Sequence, residues 1–321
     1  MAQRRVIIDT DTAGDDSQAI VLAALAERIE IEAVTIAAGN VGFADEVRNA
    51  KYSLQLADSG DVPVYEGARS PLLKDHETAE YIHGEGGLGG ELDPDVDIPS
   101  AEGFAPDAIV ELARDHPGEL TLMCIAPLTN VALALKREPA LNDLLDSVWV
   151  MGGNVNCLGN VTPAAEFNFW VDPEAAKLVV RELDVTLIDW GLTVRDSTFE
   201  AGTLDRIADA ADGSPFAQFY TAIARSVREF NRERFGEDVT TQPDTLVSGL
   251  LIDPSLIERE GTYHVDVDER EGLTRGYTMV DELGVTDGAA DTRVVESVDA
   301  DGFRRLFLDG IVHGDPERSL E

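Results

Sequence analysis

Four aspartates, Asp9, Asp11, Asp15 and Asp16, stand between an apolar, strand-like run at residues 6–8 and a helix-like run at residues 17–27. A buried strand that ends in a strand-to-helix turn is the opening unit of an α/β sheet, and such sheets bind ligands beyond the carboxyl ends of their strands. Carboxylates crowded at that turn repel one another, and a divalent cation is the simplest counter-charge. A local reading competes. Asp15, Asp16 or Ser17 would also serve as a helix cap, and with 62 Asp and Glu among 321 residues acidic clusters arise cheaply. Asp93, Asp95 and Asp97 are one such cluster, read as a solvated loop.

The same alternation continues along the chain. Runs at 31–37, 120–125, 148–151 and 185–188 have strand length and β-branched content, and helical periodicity follows at 44–57, 107–115, 130–137 and 173–182. The pattern predicts a mainly parallel open sheet flanked by helices, in one α/β domain over residues 1–321. The last third is more helical, at 216–235 and 245–252, with shorter strand-like pieces at 263–267 and 293–298. Polar groups stand after each strand: Asp11, Asp15 and Asp16 after the first, Gly39-Asn40 after the second, Pro127-Leu128-Thr129-Asn130 after the third, and a Gly- and Asn-rich loop reaching Asn168 after the fourth. Residues far apart in sequence are therefore expected to meet in one crevice. Individually, Asn40 would pass for a turn residue and Thr129 or Asn130 for a helix cap.

The formal net charge of −37 makes nucleic acid or an anionic membrane a poor partner. No apolar stretch approaches the roughly 20 residues of a membrane span. No signal peptide is read before Arg4-Arg5, so the cytoplasm is the expected compartment. Cys124 and Cys157 are too few for a disulfide scaffold and are read as reduced packing residues. So acidic a surface suggests adaptation to concentrated salt. Screening shortens the Debye length from about 10 Å at 0.1 M to about 3 Å at 1 M, so the melting temperature is expected to rise steeply with KCl at a fixed divalent-cation concentration. A flat or falling curve would remove salt adaptation as the reason for the charge.

Two other uses of the opening motif can be checked directly. An EF-hand loop beginning at Asp9 needs a Glu at its twelfth position, which is Ile20 here, and a helix rather than a strand before it. A haloacid-dehalogenase-like phosphatase also opens with a strand and DxDx[TV], matched by Asp9 and Asp11 but not by Ala13. It also needs a catalytic lysine, and none of Lys51, Lys74, Lys136 and Lys177 stands in a convincing loop. It remains an alternative.

Taken in order, DTDTAGDDSQAI from Asp9, TIAAGN ending at Asn40, HGEGGLGG from His83, APLTNVALAL from Ala126, VMGG from Val150, GNVTPAAEFNFWVDPEAA from Gly159 and PDTLVSGLLIDP from Pro243 resemble the inosine/uridine-preferring nucleoside N-ribohydrolases. The resemblance runs from residue 6 to about residue 254. It implies a Rossmann-like nucleoside hydrolase fold, and calcium-dependent hydrolysis of the N-glycosidic bond of ribonucleosides through an oxocarbenium-like transition state. Calcium would hold the attacking water and the ribose 2′- and 3′-hydroxyls together. The implied ligands are Asp11, Asp16, Asp244 and the main-chain carbonyl of Thr129, with Asp11 also the base. Asp15 and Asn40 would bind the 2′-hydroxyl side, Asn160, Glu166 and Asn168 the 3′- and 5′-hydroxyls, and Met151 would pack along the sugar. His83 would approach the base. A small-molecule nucleoside is the implied partner, and a homodimer or homotetramer is expected.

Two departures stand out. Thr12-Ala13 occupies the place of the family's usual Pro-Gly, and Pro243 stands where many members carry a histidine that protonates the leaving base. Proline has no proton to give. Gln242, Arg232, Arg234 and Trp190 are the nearby candidates for that task. The departure keeps open a second class of function, a ribosyl-ligand binding protein with lost turnover.

Overall fold

The computed structural model describes residues 3–90, 92 and 94–320. Its centre is an eight-stranded sheet in the order β3-β2-β1-β4-β5-β6-β12-β9. The strands are β1 (Arg4–Thr10), β2 (Ile29–Ile36), β3 (Val64–Glu66), β4 (Leu120–Cys124), β5 (Ser147–Met151), β6 (Val185–Ile188), the short β7 (Thr198–Glu200) and β8 (Val239–Thr241), β9 (Ile257–Tyr263), β10 (Val265–Val267), β11 (Thr278–Val280) and β12 (Thr292–Val298). Pairing in the large sheet is parallel except where β9 runs antiparallel to β12 at the edge. β7 with β8 and β10 with β11 form separate two-stranded ribbons.

Strands β1, β4 and β5 are buried almost throughout because helices cover both faces. Val6 and Ile8 join one core with α1 (Gly14–Leu25) and α2 (Phe43–Leu56), while Ile7 between them joins the opposite core. Next in the chain come the single turn α3 (Glu80–His83), then α4 (Ala105–Asp115), α5 (Thr129–Arg137) and the short α6 (Leu141–Leu144). After these follow α7 (Phe167–Val171), α8 (Pro173–Glu182), α9 (Trp190–Asp196), α10 (Ala201–Ala210), α11 (Pro215–Phe235), α12 (Pro243–Ile252) and α13 (Ala300–His313). Helices α4, α5 and α8 pack on the Ile7 face; α11, α12 and α13 pack on the other.

Every residue of α12 is buried, which explains its nearly continuous apolar sequence. It lies against α1, and Ser248 Oγ donates to the Ala19 carbonyl at 2.9 Å. Gly249 allows α13 to approach, since a Cβ there would stand 2.8 Å from the Phe303 ring. This contact carries the start of α12, and with it Asp244, to the start of α1.

The predicted strands and helices are all present. The 263–267 piece is divided at His264 between β9 and β10, and the 293–298 piece enters the main sheet beside β6 as β12. Cys124 and Cys157 are free. Asp95 and Asp97 are exposed, and Asp93 lies outside the described residues. Among the described residues no helix is long and apolar enough to cross a membrane.

Candidate active site

The strand order reverses at β1, whose neighbours are β2 on one side and β4 on the other. That switch point opens a crevice beyond the carboxyl ends of both strands. A cavity of about 790 Å³ occupies it, lined by Asp15, Asn40, His83, Ile125, Met151, Asn160, Glu166, Asn168 and Asp244 among others.

β1 ends at Thr10, between the two aspartates, and the two carboxylates have different surroundings. Asp9 Oδ1 accepts from Thr35 Oγ1 at 2.6 Å and from Asn130 Nδ2 at 2.8 Å, and burial pushes its pKa up to about 7. Asp9 is thus tied into the sheet, not offered to the cavity as a phosphatase nucleophile would be, and that alternative falls.

Asp11 is fully buried. Its Oδ2 accepts from the Asn40 backbone amide at 2.9 Å, and its Oδ1 has no partner. Close approach requires glycine at position 39, because a Cβ there would lie 1.9 Å from Asp11 Oδ2. Glu46 holds the same turn by accepting from the Gly39 and Val41 amides at 2.9 and 3.2 Å, and burial pushes its carboxyl up to about 8. Asn40 Nδ2 donates to Asp16 Oδ2 at 3.1 Å and approaches the Asp11 carbonyl at 3.4 Å. Asp16 also accepts from Thr10 Oγ1 at 2.7 Å and from the Ala13 amide at 3.1 Å. Asn40 and the turn around it thereby fix both carboxylates. The Thr12-Ala13 departure leaves this arrangement in place.

Among the described residues, Asp15, Asp16 and Asp244 present oxygens within 4.8 Å of one another. Asp15 and Asp244 crowd each other in this cluster, and burial raises the pKa of both. Desolvation, and then repulsion from Asp15 and Asp16, holds Asp244 well above the usual carboxylate range. Burial followed by repulsion from Asp16 does the same to Asp11. Burial, with repulsion from Asp15, pushes Asp16 up to about 6. A cluster held this way lacks positive charge, and its all-oxygen donor set suits a hard cation. The unpartnered Asp11 Oδ1 beside it fits the same demand.

Thr129 does not meet its expectation. It opens α5, so its carbonyl is directed along that helix toward the amide four residues on, while its hydroxyl donates to Asp172 Oδ2 at 2.7 Å. Ile125, just past the end of β4, lines the cavity instead, and its carbonyl lies 3.4 Å from Asn168 Nδ2. The sequence signal was there: a residue one step past a strand has a carbonyl free of ladder bonds.

On the opposite wall Glu166 caps α7. Its Oε1 accepts from the Asn168 amide at 2.9 Å, and its Oε2 from the Gly153 and Phe169 amides at 2.7 and 3.2 Å. Burial, opposed by those bonds, pushes it up to about 7. Asn168 Nδ2 also donates to the Met151 carbonyl at 3.2 Å. Asn160 is exposed at the rim and accepts from the Phe167 amide at 2.9 Å. Both asparagines keep polar atoms for a ligand.

His83 ends α3 with Nδ1 unpartnered, and burial pushes its pKa down. Pro243 is the first residue of α12, where proline loses no helix hydrogen bond. Gln242, Trp190 and Arg234 line the cavity; Arg232 instead pairs with Asp238 at 2.6 Å.

These features agree with what the chain is similar to. The family model for the inosine-uridine preferring nucleoside hydrolases matches residues 6–305. The pyrimidine-specific ribonucleoside hydrolase RihB of Escherichia coli strain SE11 is 33% identical over 304 residues, covering 94% of this chain and 95% of the relative. Among solved structures, the plant nucleoside hydrolase PpNRh1 superposes with a TM-score of 0.90 at 28% identity, over 96% of this chain and 99% of its own. The purine-preferring ribonucleoside hydrolase of Gardnerella vaginalis gives 0.89 at 27%, over 97% and 99%. The chain belongs to the inosine-uridine preferring nucleoside hydrolase family and is an enzyme of the nucleoside N-ribohydrolase class.

Proposed function

We propose that this protein is a calcium-dependent ribonucleoside hydrolase in which Asp11 is the general base. The observation that carries the reading is the meeting of Asp15 and Asp16 with Asp244 at the sheet's switch point, with Asp11 near enough to repel them and one of its buried oxygens free. Asp11, Asp16 and Asp244 would hold the ion, with the Ile125 carbonyl in the place first given to Thr129. Calcium tolerates six to eight oxygen ligands, so such a shell leaves room for substrate hydroxyls. When bound, it supplies the missing positive charge and an anchor for those oxygens.

The protein groups then divide the work. Asp11 Oδ1 takes a proton from the water that attacks the anomeric carbon. The bond from that carbon to the base nitrogen breaks, and its electron pair leaves with the base. Asp15 and Asn40 receive the 2′-hydroxyl side of ribose, while Asn160, Glu166 and Asn168 receive the 3′- and 5′-hydroxyls, with Met151 along the ring. Glu166 also accepts from three backbone amides, so it places Asn168 as well as receiving a hydroxyl with its remaining lone pair. Contacts spread around the sugar orient it and help to distort it toward the planar cation.

The test is a nucleoside panel assayed for free base and reducing sugar, with calcium or with a chelator, and with and without phosphate. Release of base and ribose that stops on chelation supports the reading. Dependence on phosphate would make the protein a phosphorylase, and binding without turnover would make it a ribosyl-ligand binding protein. Because Pro243 cannot protonate the leaving base, p-nitrophenyl riboside is expected to be cleaved at least as well as inosine or uridine. Pro243→His should raise turnover of the two nucleosides selectively. Equal effects on all three substrates would show that position 243 has no leaving-group role.

A further inference from the structure

One polar side chain on the cavity wall is used neither by the fold nor by the chemistry above. Gln18 follows Asp15 by three residues and Gly14 by four on α1, so the three share one helix face. It lines the cavity, is 0% exposed, and neither its Nε2 nor its Oε1 has a hydrogen-bond partner. No protein group stands in for one. A buried carboxamide with both groups unmet destabilises the free protein, whereas methionine would fill nearly the same volume without that cost.

Neighbouring polar groups do not relieve it. Gln242 Nε2 donates to Tyr220 Oη at 2.9 Å and to Thr240 Oγ1 at 2.8 Å, and those two hydroxyls lie 2.9 Å apart, which closes that network on itself. A second unmet group stands one helical turn away. His83 Nδ1 has no partner and lies 3.3 Å from where a Cβ on Gly14 would be. An amide from α1 and an imidazole nitrogen from α3 thus line the same cavity, both with hydrogen-bonding capacity that no protein group uses.

We propose that Gln18 is a base-reading residue, whose carboxamide pairs with a nucleobase edge that presents a hydrogen-bond donor beside an acceptor. The N–H and C=O of uracil and of hypoxanthine form such an edge, and an amide meets it with two bonds. Turning the terminal amide reverses the order of donor and acceptor, so Gln18 recognises nucleobases as a class against leaving groups without that edge. The inference rests on the hydrolase reading above and adds the group that selects the base.

The test is Gln18→Met in the full chain with calcium bound, assayed on inosine, uridine and p-nitrophenyl riboside, whose leaving group lacks the paired edge. For the two nucleosides kcat/KM is expected to fall about tenfold or more, the effect of stranding polar groups in a dry site. Cleavage of p-nitrophenyl riboside should be nearly unchanged, and the melting temperature no lower than that of the parent. Gln18→Leu, carrying the same expectation, serves if the first variant does not fold. An equal loss on all three substrates, or no loss on any, would overturn the proposal and reduce Gln18 to a packing residue. A parent protein inactive on every riboside would defeat the hydrolase reading and this inference together.

Discussion

Asp11→Asn is expected to lower kcat by about 10²- to 10⁴-fold, the usual contribution of a positioned general base. The structure makes the substitution harsher than its similar shape suggests. Asn40 donates its backbone amide to Asp11 Oδ2, so an asparagine would turn its oxygen toward that amide. Its NH₂ would then replace the free Oδ1, removing the base and an oxygen ligand together. Steady-state rates at saturating calcium measure the first loss and titration calorimetry the second. Near-normal turnover would show that the base lies elsewhere.

The second large effect lies more than two hundred residues away in sequence. Asp244→Ala should weaken calcium binding by about 10²-fold or more, because affinity at such sites is set by the charge and number of oxygen ligands. Unchanged binding by calorimetry would refute a shared ion. Removing the metal from the parent protein carries a pH signature of definite sign. Burial and mutual repulsion raise Asp16 from its ordinary 3.8 to about 6 and raise Asp15 and Asp244 as well. The metal-free fold therefore binds protons that the unfolded chain releases, and stability from these groups is present below about pH 4 and lost as pH rises through about 6. The gap in melting temperature between calcium-loaded and chelated protein should widen from pH 5 to pH 8. A gap that narrows over that range would show that these carboxyls are not what the ion neutralises.

Much of this was legible in the chain. The alternation of β-branched runs with helical periodicity gave the parallel sheet, since each pattern reflects which face of a local element is buried. Helix 173–182 coincides with α8, and the others agree to within a few residues because capping and periodicity are local properties. The resemblance carried the family. It also carried the candidate residues: all but Asp11, Asp16 and Thr129 line the cavity directly, and the two aspartates are fixed beside it by Asn40.

What the sequence by itself determined was the inventory: a strand ending in carboxylates, a set of polar turns at strand ends, and a largely apolar helix carrying Asp244 in its first turn. Tertiary structure alone decided which of these meet. Asp9 and Asp11 are two residues apart, as on one face of a strand, yet β1 ends between them, and the fold bonds one to Thr35 and Asn130 and the other to the Asn40 amide. The choice of Ile125 over Thr129 depended on where β4 stops and α5 begins. Strand β12 pairs with β6 and with the edge strand β9 through contacts that no local pattern encodes. Gln18 reads in sequence as one more polar helix residue. Its lack of a partner exists only because α1 is packed beneath α11 and α12, and burial turns an ordinary amide into a group that needs a ligand.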